Sequence, residues 1–114
     1  MLNRLLIGFT IVLACGVLVA QALAASSRTA GLRDNFITLS STTAPHGSVT
    51  FAVTNRGLNT HNFNIQRVST GSIQFSSSNL RPGAKISVTR TLKIGKYRLF
   101  CSLHTGMTKT FTVS

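Results

Sequence analysis

The sequence has almost no acidic side chains. Asp34 is the only aspartate or glutamate among 114 residues, against 12 lysines and arginines. Hydrolytic mechanisms that need a general acid and base usually place carboxylates at the reacting bond, and this chain has no glutamate for that purpose. A nucleophile elbow and a glycine-rich phosphate loop are absent as well. These absences indicate that the protein is not an enzyme.

Cysteine is also scarce, with only Cys15 and Cys101 in the chain. Residues 1–24 resemble a secretory signal peptide: Arg4 supplies a basic start, an apolar run follows, and Ala22-Leu23-Ala24 supplies a cleavage site. An uncleaved membrane anchor through residues 5–25 and lipidation at Cys15 are the alternatives. We therefore expect an exported protein, periplasmic or otherwise extracytoplasmic. Cleavage removes Cys15 and leaves Cys101 unable to form a disulfide within the chain, so its thiolate needs another role.

The charge is strongly positive, at +11 for the whole chain and +10 after loss of Arg4. Such a charge favours an acidic partner protein, here a redox partner, or an anionic membrane surface. Nucleic acid is not expected, because the basic residues are scattered and no nucleic-acid-binding motif is present. The length allows one small domain, which we expect to be monomeric.

The fold prediction is all-β. Residues 25–34 are small and polar and indicate a flexible lead-in, and the folded domain is expected over residues 35–114. Apolar and polar residues alternate with a period of two in four stretches: 48–54, 62–66, 85–89 and 110–113. Turn-forming clusters rich in proline, glycine, asparagine and serine separate them. Short strands at this spacing predict a Greek-key β-sandwich of about seven strands.

Four metal-binding side chains stand out against this background. Cys101, His104 and Met107 lie within seven residues after a predicted strand, and His61 lies where an upstream loop meets another strand. Two imidazoles, one thiolate and a weak thioether are the ligand set of a blue-copper electron-transfer site, which holds one type 1 copper ion. Zinc is the alternative metal, although methionine is a poor zinc ligand. The third histidine, His46, is predicted to be a surface residue in a turn.

Two segments resemble the cupredoxin family, in particular its small plastocyanin-like and amicyanin-like members. They are residues 44–63, which end in His61-Asn62-Phe63, and residues 95–107, which run from Gly95 to Met107. The two-residue spacings from Cys101 to His104 and from His104 to Met107 are similar to the amicyanin type of loop. The resemblance implies that His61, Cys101, His104 and Met107 are the copper ligands. It also implies that the backbone amide of Asn62 donates a hydrogen bond to the cysteine sulfur.

The predicted function is single-electron transport between redox partners by cycling of copper between Cu(II) and Cu(I). Electrons are expected to pass through the exposed edge of His104, inside an apolar patch formed by Leu58, Leu103 and either Pro45 or Pro82. A copper storage or delivery protein with the same ligands is the alternative function. A metal-free adhesion module with an immunoglobulin-like fold is a third.

Overall fold

The computed structural model describes residues 24–114, which form nine β-strands in two sheets. The strands are β1 (Ala24–Arg33), β2 (Phe36–Leu39), β3 (Thr43–Ala44), β4 (Gly47–Asn55), β5 (Asn64–Arg67), β6 (Ile73–Ser76), β7 (Lys85–Leu92), β8 (Gly95–Phe100) and β9 (Thr108–Val113). The first sheet has the order β2-β1-β4-β7 and the second the order β3-β9-β8-β5-β6. The all-β prediction is therefore confirmed, with nine strands where about seven were expected.

The predicted flexible lead-in over residues 25–34 is wrong. This segment forms most of β1, which pairs in parallel with β4 from Ala24–Gly47 to Leu32–Asn55 and antiparallel with β2. The side chains of β1 are mostly small or polar, so its sequence carries little of the apolar alternation that marks a half-buried strand. Its backbone hydrogen bonds to two neighbours and the burial of Ala30 and Leu32 hold it in the first sheet.

The core lies between the two sheets and follows the alternation predicted from the sequence. Val49, Phe51 and Val53 of β4 are buried, and so are the inward residues of the opposite sheet. The ring of Phe51 packs against those of Phe63 and Phe111, with ring centroids 5.6 and 5.1 Å away. Tilted and edge-on contacts at these distances are favourable for aromatic side chains. Because Phe63 lies two residues after His61, this packing also anchors the strand that follows the histidine.

The strand directions bring four loops together at one end of the sandwich, which we call the donor end. β1 and β4 both finish there, at residues paired as Leu32–Asn55, and β8 finishes there beside the start of β9. The loops β1–β2, β4–β5, β6–β7 and β8–β9 therefore meet at the donor end. The residues of the candidate site come from these loops and from the strand ends that border them.

The predicted signal peptide lies outside the described residues except for Ala24. Within residues 24–114, no helix is long and apolar enough to cross a membrane.

Candidate metal centre

Cys101 directly follows β8, with its side chain in the core. It follows Tyr97 and Leu99, which face inward on the same side of the strand, and only 3 % of Cys101 is exposed. The loop that it opens is tight: the Cys101 amide donates to the Met107 carbonyl at 3.0 Å, and the Met107 amide donates to the His104 carbonyl at 3.3 Å. Cys101 and Met107 are therefore fixed against each other at the two ends of one short loop.

His61 is fully buried in the β4–β5 loop. Its backbone forms a two-way bridge with Leu80, in which the His61 amide donates at 3.1 Å and accepts at its carbonyl from the Leu80 amide at 2.7 Å. The buried side chain of Asn55 donates to the carbonyls of Asn59 and Leu80, at 2.9 and 2.8 Å, and accepts from the Gly57 amide at 2.9 Å. These contacts fix the loop that presents the His61 ring.

Three donor atoms from the two loops converge on one point. His61 Nδ1 lies 3.1 Å from His104 Nδ1, and Cys101 Sγ lies 3.8 Å from the former and 3.5 Å from the latter. A trigonal metal with bonds of about 2.0 Å to nitrogen and about 2.3 Å to sulfur holds its ligand atoms about 3.5–3.7 Å apart. The donor triangle is thus of the right size to hold a single first-row metal ion.

Met107 and Asn62 complete the surroundings of the triangle. Met107 is buried and lines the same cavity as Cys101 and His104. The Asn62 amide donates to Cys101 Sγ at 3.4 Å, as the resemblance implied. The Asn62 side chain accepts from the Ser102 amide at 2.8 Å and donates to the Ser102 hydroxyl at 2.7 Å. Asn62 therefore ties the loop of His61 to the loop of Cys101.

The contact of Asp34 with this site was not predicted from the sequence, where Asp34 fell in the expected lead-in. The Asp34 carboxylate accepts a hydrogen bond from His61 Nε2 at 2.8 Å, on the side of the ring away from the donor triangle. It also accepts from the backbone amides of Leu58 and Asn59. These amides, with that of Leu58 contributing most, and the bond to His61 lower the pKa of Asp34 from 3.8 to about 2. Asp34 is therefore ionised at neutral pH.

The remaining predicted residues divide between the two ends of the sandwich. His46 is exposed and bonded to the Ser114 carbonyl, at the end opposite the donors, as expected for a surface turn. Pro45 lies beside it, so it cannot join an apolar patch around the donors. Leu58 and Leu103 do lie at the donor end and are 88 % and 48 % exposed. His104 is only half-buried, whereas His61 and Cys101 are buried.

The sequence profile of a family described as the Cupredoxin-like domain matches residues 7–113, almost the whole chain. The chain belongs to the cupredoxin family. No curated protein is close enough in sequence to match it.

Solved cupredoxin structures share the fold at low sequence identity. An auracyanin from the photosynthetic bacterium Roseiflexus castenholzii is 18 % identical with a TM-score of 0.62, covering 80 % of this chain and 98 % of its own. The blue copper protein auracyanin A from Chloroflexus aurantiacus is 16 % identical with a TM-score of 0.61, covering 77 % and 98 %. A purple cupredoxin from Nitrosopumilus maritimus is 22 % identical with a TM-score of 0.53, covering 78 % and 99 %.

Proposed function

We propose that this cupredoxin binds one type 1 copper ion and carries single electrons between redox partners. The observation that carries the proposal is the triangle of one cysteine sulfur and two imidazole nitrogens at one end of the sandwich, with His61 and Cys101 buried and His104 half-buried. This donor set, with methionine beside it, is that of mononuclear blue-copper electron-transfer centres. Membership of the cupredoxin family and the likeness to the blue copper protein auracyanin A support it.

In this proposal His61, Cys101 and His104 hold the metal, and Met107 supplies a weak fourth contact. Bound copper would supply a Cu(II)/Cu(I) couple. The chain keeps the ligand positions constant: the Asn62 amide points at the Cys101 sulfur, and hydrogen bonds join the two ligand-bearing loops. A site whose ligands stay in place when the charge changes needs little rearrangement for each transfer.

The half-buried ring of His104 is the proposed route for the electron. It is the most exposed of the three donors, and Leu103 beside it offers an apolar contact surface. The single acidic side chain is already bonded to His61, which leaves no carboxylate for general acid–base chemistry and favours a carrier over an enzyme. The high positive charge favours an acidic redox partner.

The proposed location is outside the cytoplasm. Its support is the sequence of residues 1–24, with a basic start, an apolar run and a small-residue cleavage site. An uncleaved segment would instead hold the domain at the membrane, where the positive charge favours anionic lipids.

The test is the visible absorption and electron paramagnetic resonance spectrum of the purified protein after addition of Cu(II). An intense thiolate-to-copper band with narrow copper hyperfine splitting is expected, and it should be lost in Cys101→Ser and kept in the control His46→Ala. A colourless protein with an ordinary copper signal would contradict the proposal. A blue protein that loses its metal readily and cycles irreversibly would favour copper delivery over electron transport.

A further inference from the structure

We propose that Asp34 is a positioning residue for His61 and that Gly57 is a glycine in order to leave room for their contact. The part of the proposal that concerns copper rests on the function proposed above. The part that concerns the histidine ring applies to the metal-free protein as well.

The two nitrogens of the His61 ring have different neighbours. Nδ1 faces Cys101 Sγ and His104 Nδ1, while Nε2 lies 2.8 Å from Asp34 Oδ1. An ionised carboxylate only accepts hydrogen bonds, so Nε2 must carry the proton of this pair. In the neutral ring that leaves the lone pair on Nδ1, directed toward the metal position. The contact to Asp34 thereby selects the tautomer that binds metal.

The carboxylate is itself held in place. The amide of Leu58 donates to both Asp34 oxygens, at 3.1 and 2.9 Å, and the amide of Asn59 donates to Oδ1 at 3.2 Å. Within the described residues no lysine or arginine lies within ion-pair distance of Asp34, although the sequence has 12 of them, and its side-chain partner is His61. The single acidic side chain of a basic chain is thus directed at one buried histidine by backbone amides of the loop that carries this histidine.

Gly57 supplies an independent observation. A Cβ added at Gly57 would lie 2.3 Å from Asp34 Oδ1 and 2.8 Å from His61 Nε2, closer than real Cβ contacts. The backbone φ of Gly57 lies outside the left-handed region in which glycine is favoured. Space for the carboxylate–imidazole contact, and not backbone conformation, therefore accounts for glycine at this position.

Two consequences follow for a bound metal. A carboxylate that accepts from the far nitrogen fixes the ring orientation and makes the imidazole a stronger donor. A stronger donor with a nearby negative charge stabilises the more highly charged oxidised metal, so the contact lowers the reduction potential. Loss of such a partner typically weakens metal binding about 10- to 100-fold.

The first experiment uses metal-free full-length protein labelled with ¹⁵N at histidine. In the wild type, the ring nitrogens of His61 should report a single tautomer with the proton on Nε2. Asp34→Ala and Gly57→Ala should each produce a mixture of tautomers, with a smaller change in Asp34→Asn, whose amide oxygen can still accept. An unchanged single tautomer in Asp34→Ala would overturn the proposal. If Asp34→Ala fails to fold, the same result in Gly57→Ala would overturn it.

The second experiment measures the reduction potential and the Cu(II) affinity of the same variants. Both Asp34 variants should show a raised potential and weakened Cu(II) binding, and Thr70→Lys controls for the unit change in net charge at an exposed site of the opposite end. Equal shifts in Thr70→Lys and Asp34→Asn would show a general charge effect and overturn positioning. If the wild type forms no thiolate–copper band, the proposed function fails, while the tautomer measurement still decides the role of Asp34.

Discussion

The two loops that supply the donors differ sharply in how they are held. The upstream arm, residues 55–62, presents a His61 ring that is fully buried and bonded at its far nitrogen, and it is fixed by the buried Asn55 side chain. The downstream loop, residues 101–107, presents a half-buried His104 beside the exposed Leu103. Both loops reach the same point, but only the downstream loop presents a partly exposed donor ring.

For the proposed electron carrier, this difference separates two requirements. Ligand positions must stay constant when the charge changes, and one ligand must come close to a partner. The upstream arm meets the first requirement through burial and satisfied hydrogen bonds, which are costly to break. The downstream loop meets the second because an exposed ring edge with an apolar neighbour shortens the path to a docked protein. Variants that affect one loop only can test this division.

The largest effect is expected from Asn55→Ala in the upstream arm. It removes the donor to the carbonyls of Asn59 and Leu80 and the acceptor for the Gly57 amide. Leaving buried groups unpaired costs about 1–3 kcal/mol, and we expect a loss near the upper end of that range in the free energy of unfolding, measured in urea on the metal-free protein. The control Asn79→Ala, at an exposed position of the β6–β7 loop, should change stability by less than about 0.5 kcal/mol. Equal stability of the two variants would mean that Asn55 does not hold the arm.

The next effect is expected from Leu103→Lys in the downstream loop. A cation at this exposed position removes apolar contact and adds repulsion between two copies that meet at His104. We expect electron self-exchange, measured by nuclear magnetic resonance line broadening, to slow about tenfold, which corresponds to about 1.4 kcal/mol. The absorption spectrum should stay intact, because Leu103 supplies no donor atom.

The matched control for that experiment is Ile94→Lys. It adds the same charge at a residue that is 60 % exposed in the β7–β8 loop, at the end of the sandwich away from the donors. If Ile94→Lys slows self-exchange as much as Leu103→Lys does, the electron does not pass at the downstream loop, and the division between the two loops fails.

The sequence predicted the downstream loop better than the upstream arm. Cys101 and His104 are three residues apart and follow a strand with clear alternation, so local spacing was enough to place them together. Asp34 is 27 residues from His61, and its contact depends on the pairing of β1 with β4. That pairing is parallel and joins segments distant in the sequence. The small side chains of β1 carry no alternation pattern that would predict it. The role of Asn55 was likewise not predicted, since burial of its amide depends on Leu80 from a third loop.

The smallest effect is expected from removal of basic side chains at either end of the sandwich. Arg56 and Arg81 are exposed in loops of the donor end, whereas Lys93 and Lys96 are exposed near the opposite end. Arg56→Gln with Arg81→Gln should slow oxidation of the reduced protein by hexacyanoferrate(III) about two- to threefold at low salt, because local charge steers an anion toward His104. Lys93→Gln with Lys96→Gln removes the same charge and should slow it less. The difference should shrink in 0.5 M salt, where screening acts within a few ångströms. Equal rates for the two double variants at low salt would assign the steering to net charge and not to the donor end.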